Sequence, residues 1–239
     1  MHSFAPAPTI EEIEQFSDAE PENPTLMAVP AYFGPWATEE WEALLDSEPG
    51  VIVINPDSGP GERKSAAYAT LVRQAQRRGF AVIGYCSLAR GKRKYAECLA
   101  ELDAYREWYE VDGMFWDEVK VTTRPSGLLR SLYGVSVRKF GLDGFIVYNP
   151  GTAVPEGFFS SLRRAYIVTF EGTRAQHVER FGAFEIEVEG PIERQWHLIH
   201  SCAPKFQRTV RQRLVDSGLG GAYVTHDTLP NPWDVFAPQ

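Results

Sequence analysis

The fold class that this sequence predicts is α/β: a single-domain (β/α)8 TIM-type barrel of parallel strands wrapped by helices. Three observations predict it. Eight short runs rich in Val, Ile, Phe and Tyr recur from residue 26 onward. Several are continuously apolar, such as Val51-Ile52-Val53-Ile54 and Phe145-Ile146-Val147-Tyr148, as strands covered on both faces are. The stretches between them change to a helical period, and 239 residues is near the ~250 usual for this fold. A doubly wound open sheet is the competing architecture, and it would carry a glycine-rich turn after its first strand. Here Ala31-Tyr32-Phe33-Gly34-Pro35-Trp36 follows that strand, with aromatic residues in place of the glycines.

The strand-like runs are Leu26–Tyr32, Val51–Asn55, Ala81–Tyr85, Gly113–Asp117, Phe145–Asn149, Tyr166–Glu171, Trp196–Ser201 and Ala222–His226. Between them, Tyr68, Leu71, Val72 and Ala75 share a helical face that Gly79 ends. Tyr95, Cys98, Leu99, Leu102 and Tyr109 form a second stripe. Thr38 is an N-cap candidate ahead of Glu39, Glu40 and the apolar Trp41, Leu44 and Leu45. Phe206, Val210 and Leu214 form another face, closed by Gly218. The stretch from Ala183 to Glu193 reads as an inserted hairpin or a loop. Residues 1–24 are rich in Pro and acid and read as a lead-in segment, in which Thr9 and Glu12 have capping-box spacing for a helix from Ile10 to Phe16. Residues 25–239 are the barrel domain.

Twenty-four basic against 32 acidic side chains leave a net charge of −8. That argues against nucleic acid and against anionic membrane surfaces, both of which bind through Lys and Arg. Apolar runs stop far short of the ~20 residues a spanning helix needs, so no membrane insertion is expected. Cys86, Cys98 and Cys202 lack metal or disulfide spacing. The amino terminus shows no signal peptide, which reads as a cytoplasmic protein.

In such a barrel the active site lies at the carboxyl ends of the strands. Those ends supply Tyr32, Asn55, Asp57, Tyr85, Asp117, Glu118, Asn149, Glu171, His200 and His226. With Gly113, Phe115 and Asp117 on one face of the fourth strand and Ile167, Thr169 and Glu171 on one face of the sixth, Asp117 and Glu171 are expected to share the mouth. Two facing carboxylates are the machinery of glycoside hydrolysis. Glu118 reaches the mouth only if the chain turns after Asp117. Tyr32, Phe33, Trp36, Tyr85, Trp116, Tyr148 and Trp233 present rings at or just after strand ends, and aromatic faces suit the apolar face of a sugar. Asn55 and Asn149 precede proline, so each either builds a turn or binds a substrate hydroxyl. His197 and His200 lie three apart on a strand and face opposite sides, which makes them poor joint metal ligands. Neither metal nor cofactor is expected.

Several segments together resemble the spherulation-specific family 4 (spherulin-4-like) proteins. They are Val29-Pro30-Ala31-Tyr32-Phe33, the run Gly50–Gly61, Gly79–Tyr85, and Tyr105–Tyr109 leading into Val111–Glu118. Asn149-Pro150-Gly151-Thr152 and Thr169-Phe170-Glu171-Gly172 complete the pattern. The resemblance implies a (β/α)8 barrel. It also implies kinship with fungal hydrolases, often secreted or cell-surface, that cleave α-1,4-linked galactosamine and N-acetylgalactosamine polymers such as galactosaminogalactan. Carried over, it implies Asp117 as nucleophile or charge stabiliser, Glu118 as its supporting acid and Glu171 as general acid/base. Tyr32, Asn55, Asp57, Tyr85, Trp116, Asn149, His200 and His226 are then the substrate-binding candidates for a polysaccharide or oligosaccharide. The alternatives are a non-catalytic carbohydrate-binding barrel and, with less support, a phosphosugar enzyme with its phosphate site after strands seven and eight.

Overall fold

The computed structural model describes residues 25–182, 186 and 188–238. The expected lead-in helix and part of the stretch from 183 lie outside the described residues. Eight parallel strands close into a barrel in sequence order, with β1 hydrogen-bonded to β8. The strands are β1 Leu26–Ala31, β2 Val51–Ile54, β3 Ala81–Ser87, β4 Gly113–Asp117, β5 Phe145–Tyr148, β6 Tyr166–Thr173, β7 Gln195–His200 and β8 Gly221–Val224. The helices are α1 Thr38–Leu45, α2 Ala66–Arg77, α3 Tyr95–Tyr109, α4 Gly127–Phe140, α5 Gly157–Ser161, α6 Arg174–Phe181 and α7 Pro204–Asp216.

Local chemistry explains the helix starts. Ser65 accepts a hydrogen bond from the Tyr68 amide, Ser126 from the Leu129 amide, and Thr173 with Gln176 forms a capping box. Thr38 is not the cap it was expected to be. Ala37 holds that position, and the Thr38 hydroxyl reaches back to the Trp36 carbonyl. Phe206 also departs from its expected buried face: it is exposed on α7, with the Arg174 guanidinium 4.1 Å from its ring centre, while Gln207 turns inward beside Leu214. Among the described residues no helix follows β8. The segment 225–238 carries Pro230 and Pro232, which interrupt any helical run. It folds back over the mouth instead, where the Tyr32 amide donates to the Trp233 carbonyl and the Ala237 amide to the Tyr223 hydroxyl.

Register defines which side chains fill the barrel, because paired residues of adjacent strands share a face. Val53, Ile83 and Gly113 pair in one row, and Tyr85, Phe115 and Val147 in the next. The opposite parity points out to the helices. Gly84 is on that side, and the Tyr105 ring of α3 lies against it so closely that an added Cβ would come within 2.5 Å. Trp116 shares the outward parity with Tyr148, whose hydroxyl bonds the Leu129 carbonyl of α4.

Candidate active site

Continuing the inward parity past the last pairs brings Tyr32, Tyr85, Asp117, Asn149, Glu171 and His200 to one end of the barrel. Asp117 closes β4, and Asn149 is the first residue after β5. Asn149 Nδ2 donates to Asp117 Oδ1 at 2.8 Å and to Glu171 Oε2 at 2.6 Å. Those two carboxylate oxygens are therefore at most about 5.4 Å apart, the limit for a straight line through the nitrogen. Asn149 Oδ1 meanwhile accepts from the Gly151 amide at 2.8 Å. The Asn-Pro step thus builds the turn, and its amide nitrogen is occupied by the two acids.

Glu171 reaches the pair by a different route from the expected one. In strict alternation Ile167, Thr169 and Glu171 would share a face. Ile167 instead pairs with Tyr148, on the outward side, and Val168 pairs with Trp196. A bulge then follows, and Phe170 pairs with His197 and Glu171 with Leu198. The extra residue flips the parity, so that Phe170 packs outward on His177 of α6 and Glu171 turns in.

The remaining contacts orient the two acids. Asp117 accepts from the Tyr85 hydroxyl and the Glu118 amide. Tyr85 stacks on Phe115, and the Tyr32 ring meets it edge-on with centroids 5.5 Å apart. Trp233 Nε1 donates to Glu171 Oε1 at 3.3 Å, and its ring stands against that of His200. Trp233 had no sequence signal as an acid partner; it lies 62 residues away on an irregular segment, and only closure of the chain over the mouth delivers it.

Burial raises the Asp117 carboxyl to about 6, and the neighbouring Glu171 charge adds to the effect against the pull of its amide and phenol donors. Glu171 is also raised by burial, with the Asn149 and Trp233 hydrogen bonds opposing. Burial and the Asp117 charge raise Tyr32 and Tyr85, so both remain phenols at neutral pH. Two acids held this close lose their protons as a coupled pair.

Other expected site residues stand elsewhere. Glu118 takes a φ of +52°, so the chain turns after Asp117, and its exposed carboxylate accepts from the hydroxyl of Ser87, the residue that pairs with Asp117 on the same face. Trp116 is fully buried on the helix side of β4, where outward parity puts it, and cannot meet a ligand in the mouth. Asn55 Oδ1 accepts from the Gly59 amide at 2.9 Å, which is turn chemistry. Asp57 is exposed in the same loop and lines a separate cavity of about 590 Å³ with Trp36. His226 is exposed on the rim after β8. His197 faces outward and bonds His177 at 3.0 Å, while His200 faces the mouth, so the two histidines do part company. Among the described residues no group of three or more His, Cys, Asp or Glu side chains has metal-holding geometry.

The family model for spherulation-specific family 4 matches residues 27–239. The crystal structure of Aspergillus clavatus Sph3 in complex with GalNAc superposes with a TM-score of 0.74 at 23% identity, covering 90% of this chain and 94% of that one. A beta-mannanase from Streptomyces thermolilacinus gives a TM-score of 0.34 at 13% identity over 90% of this chain and 73% of that one, too loose to establish a shared fold. No curated protein sequence matches the chain.

Proposed function

The chain belongs to spherulation-specific family 4, and from that premise we propose that it is a glycoside hydrolase that cleaves α-1,4-linked galactosamine and N-acetylgalactosamine polymers. The observation that carries the reading is the single Asn149 nitrogen shared by Asp117 and Glu171. It holds two acids together at the barrel mouth, one able to keep its proton. The GalNAc bound in the Sph3 crystal structure supports an amino sugar as the substrate class.

Asp117 takes the nucleophile's role. The Tyr85 hydroxyl, the Glu118 amide and the Asn149 amide all favour its charged form. The reactive form of the pair is the one with its proton on Glu171. Asp117 attacks the anomeric carbon while Glu171 protonates the departing glycosidic oxygen. Glu171, now a carboxylate, then takes a proton from water, whose oxygen displaces Asp117. The upper bound of about 5.4 Å between these oxygens is short of the ~6.5–9.5 Å that leaves room for a water in inverting enzymes, which favours retention. Glu118 enters as the residue whose amide steadies Asp117.

The test is incubation of purified protein with partly deacetylated α-1,4-galactosamine polymer. Oligosaccharides of retained anomeric configuration are expected by NMR, with Asp117→Asn and Glu171→Gln each lowering the rate by ~10²–10⁴. Polymer binding without release by the parent protein would instead make this a carbohydrate-binding barrel. Release that survives both substitutions would remove the acid pair from the mechanism.

A further inference from the structure

We infer that the cavity between the β1–α1 and β2–α2 loops is a second sugar subsite, where an amino-sugar ring of the bound polymer stacks on Trp36 away from the bond being cleaved. The inference rests on the glycan reading above and extends it to a wall of the molecule that the acid pair does not touch.

Trp36 is 83% exposed, more than any other large apolar side chain described. Single exposed hydrophobes are commonplace; this one is built into a platform. Its indole lies flat across Gly34, where an added Cβ would come 2.3 to 2.5 Å from three ring atoms. One face is therefore backed by main chain and the other is left open. The turn beneath is pinned by the Ala37 amide on the Gly34 carbonyl, by the Thr38 amide on the Trp36 carbonyl, and by Trp41 Nε1 on the Gly34 carbonyl at 3.2 Å.

The facing wall is equally fixed. Asn55 Oδ1 holds the Gly59 amide, and Tyr109 of α3 donates its hydroxyl to the Pro60 carbonyl at 2.9 Å. This wall carries the exposed carboxylates of Asp57 and Glu62, with Arg63 the one cation among the described residues lining the cavity. An aromatic face opposite carboxylates matches a pyranose that has an apolar C–H face and bears an ammonium group, through ring stacking and charge-assisted hydrogen bonds. A fully acetylated ring would keep only the stacking. The cavity, about 590 Å³, is large enough for a sugar-sized ligand. It opens on the same end of the barrel as the acids, since both loops follow the carboxyl ends of their strands. Trp36 lies four residues past Tyr32, so the chain between them spans at most about 14 Å, which one polymer can bridge.

The test measures binding separately from turnover. In an Asp117→Asn background, titration with partly deacetylated galactosamine oligosaccharides is followed by calorimetry. Trp36→Ala is expected to weaken binding about tenfold, an aromatic contact's share of roughly 1.4 kcal/mol, with Trp36→Phe restoring most of it. Gly34→Ala, which displaces the indole, should act in the same direction. Asp57→Asn with Glu62→Gln should erase the preference for deacetylated over fully acetylated oligosaccharides. Binding and polymer KM unaltered by Trp36→Ala, in a protein that still cleaves, would overturn the subsite alone. Absence of both binding and cleavage of any hexosamine polymer by the parent protein would overturn the glycan reading with it.

Discussion

At the scale of single residues, Asn149 governs the chemistry without being an acid. Its nitrogen donates to both carboxylates, so it sets their spacing and offsets part of the repulsion that burial intensifies. Asn149→Ala leaves each acid short of one donor, which raises both further. Hydrolysis by the parent protein is expected to decline as pH rises beyond the ordinary carboxylate range, where Glu171, raised by burial, gives up the proton that the leaving oxygen needs. In Asn149→Ala that alkaline limb should move up, with the maximal rate down by roughly 10²-fold from lost alignment. An unmoved limb in a pH–rate profile would mean that the amide does not couple the acids. The strand-end positions of Asp117 and Glu171 were readable from the sequence because an apolar run stopping at a carboxylate is a local pattern. The Trp233 contact was not, because its partner is 62 residues distant.

At the scale of elements, β6 and its bulge decide whether the site exists. Inserting one residue between Phe170 and Glu171 would move Glu171 one step along β6, opposite Ile199, and turn it toward α6. The expected result is loss of activity in a chain whose circular dichroism still reports a barrel; retained activity would show that the parity argument is wrong. Beside the bulge, β7 and α6 bury His177 against His197, with Phe170 and Phe181 packed around them. Burial, with the Arg213 and Arg180 charges, lowers His177 to about 3, and burial lowers His197 as well. A histidine lowered in the fold binds its proton first in the unfolded chain. Its contribution to stability is therefore complete above the ordinary value of 6.5 and is lost as pH falls below it. Urea unfolding should show stability dropping by roughly 1.4 kcal/mol per pH unit for each histidine below that point. His177→Phe should flatten the slope; an unchanged slope would assign the acid sensitivity to other groups.

At the scale of the whole molecule, the acid pair and the histidine pair set opposing demands. Asp117 and Glu171 are raised in the fold, so what they contribute is present at low pH and lost as pH climbs from the ordinary carboxylate range toward about 6. The histidines lose theirs in the other direction. Asp117→Asn removes a buried charge held at neutral pH for function, and it should stabilise the protein at pH 7 by on the order of 2 kcal/mol. A melting temperature equal to or below the parent's at pH 7 would contradict that. The barrel itself was legible because each of its eight runs is local and its class follows from their alternation with helical stretches. The missing eighth helix shows where such counting ends. Pro230 and Pro232 deny the last segment a helix, but nothing local says that it folds over the mouth.

The order of the elements, the parallel sheet and the two acids at strand ends were determined by the sequence alone, since each depends on neighbours within a few residues. The tertiary structure decided which side each residue faces once a bulge intervened, and it kept Trp116 on the helix side of β4. It also joined Asp117, Asn149, Glu171 and Trp233 into one hydrogen-bonded set. Parity accumulates along a strand and closure acts around the whole ring, so a single inserted residue or one returning segment reassigns side chains that no local pattern can place.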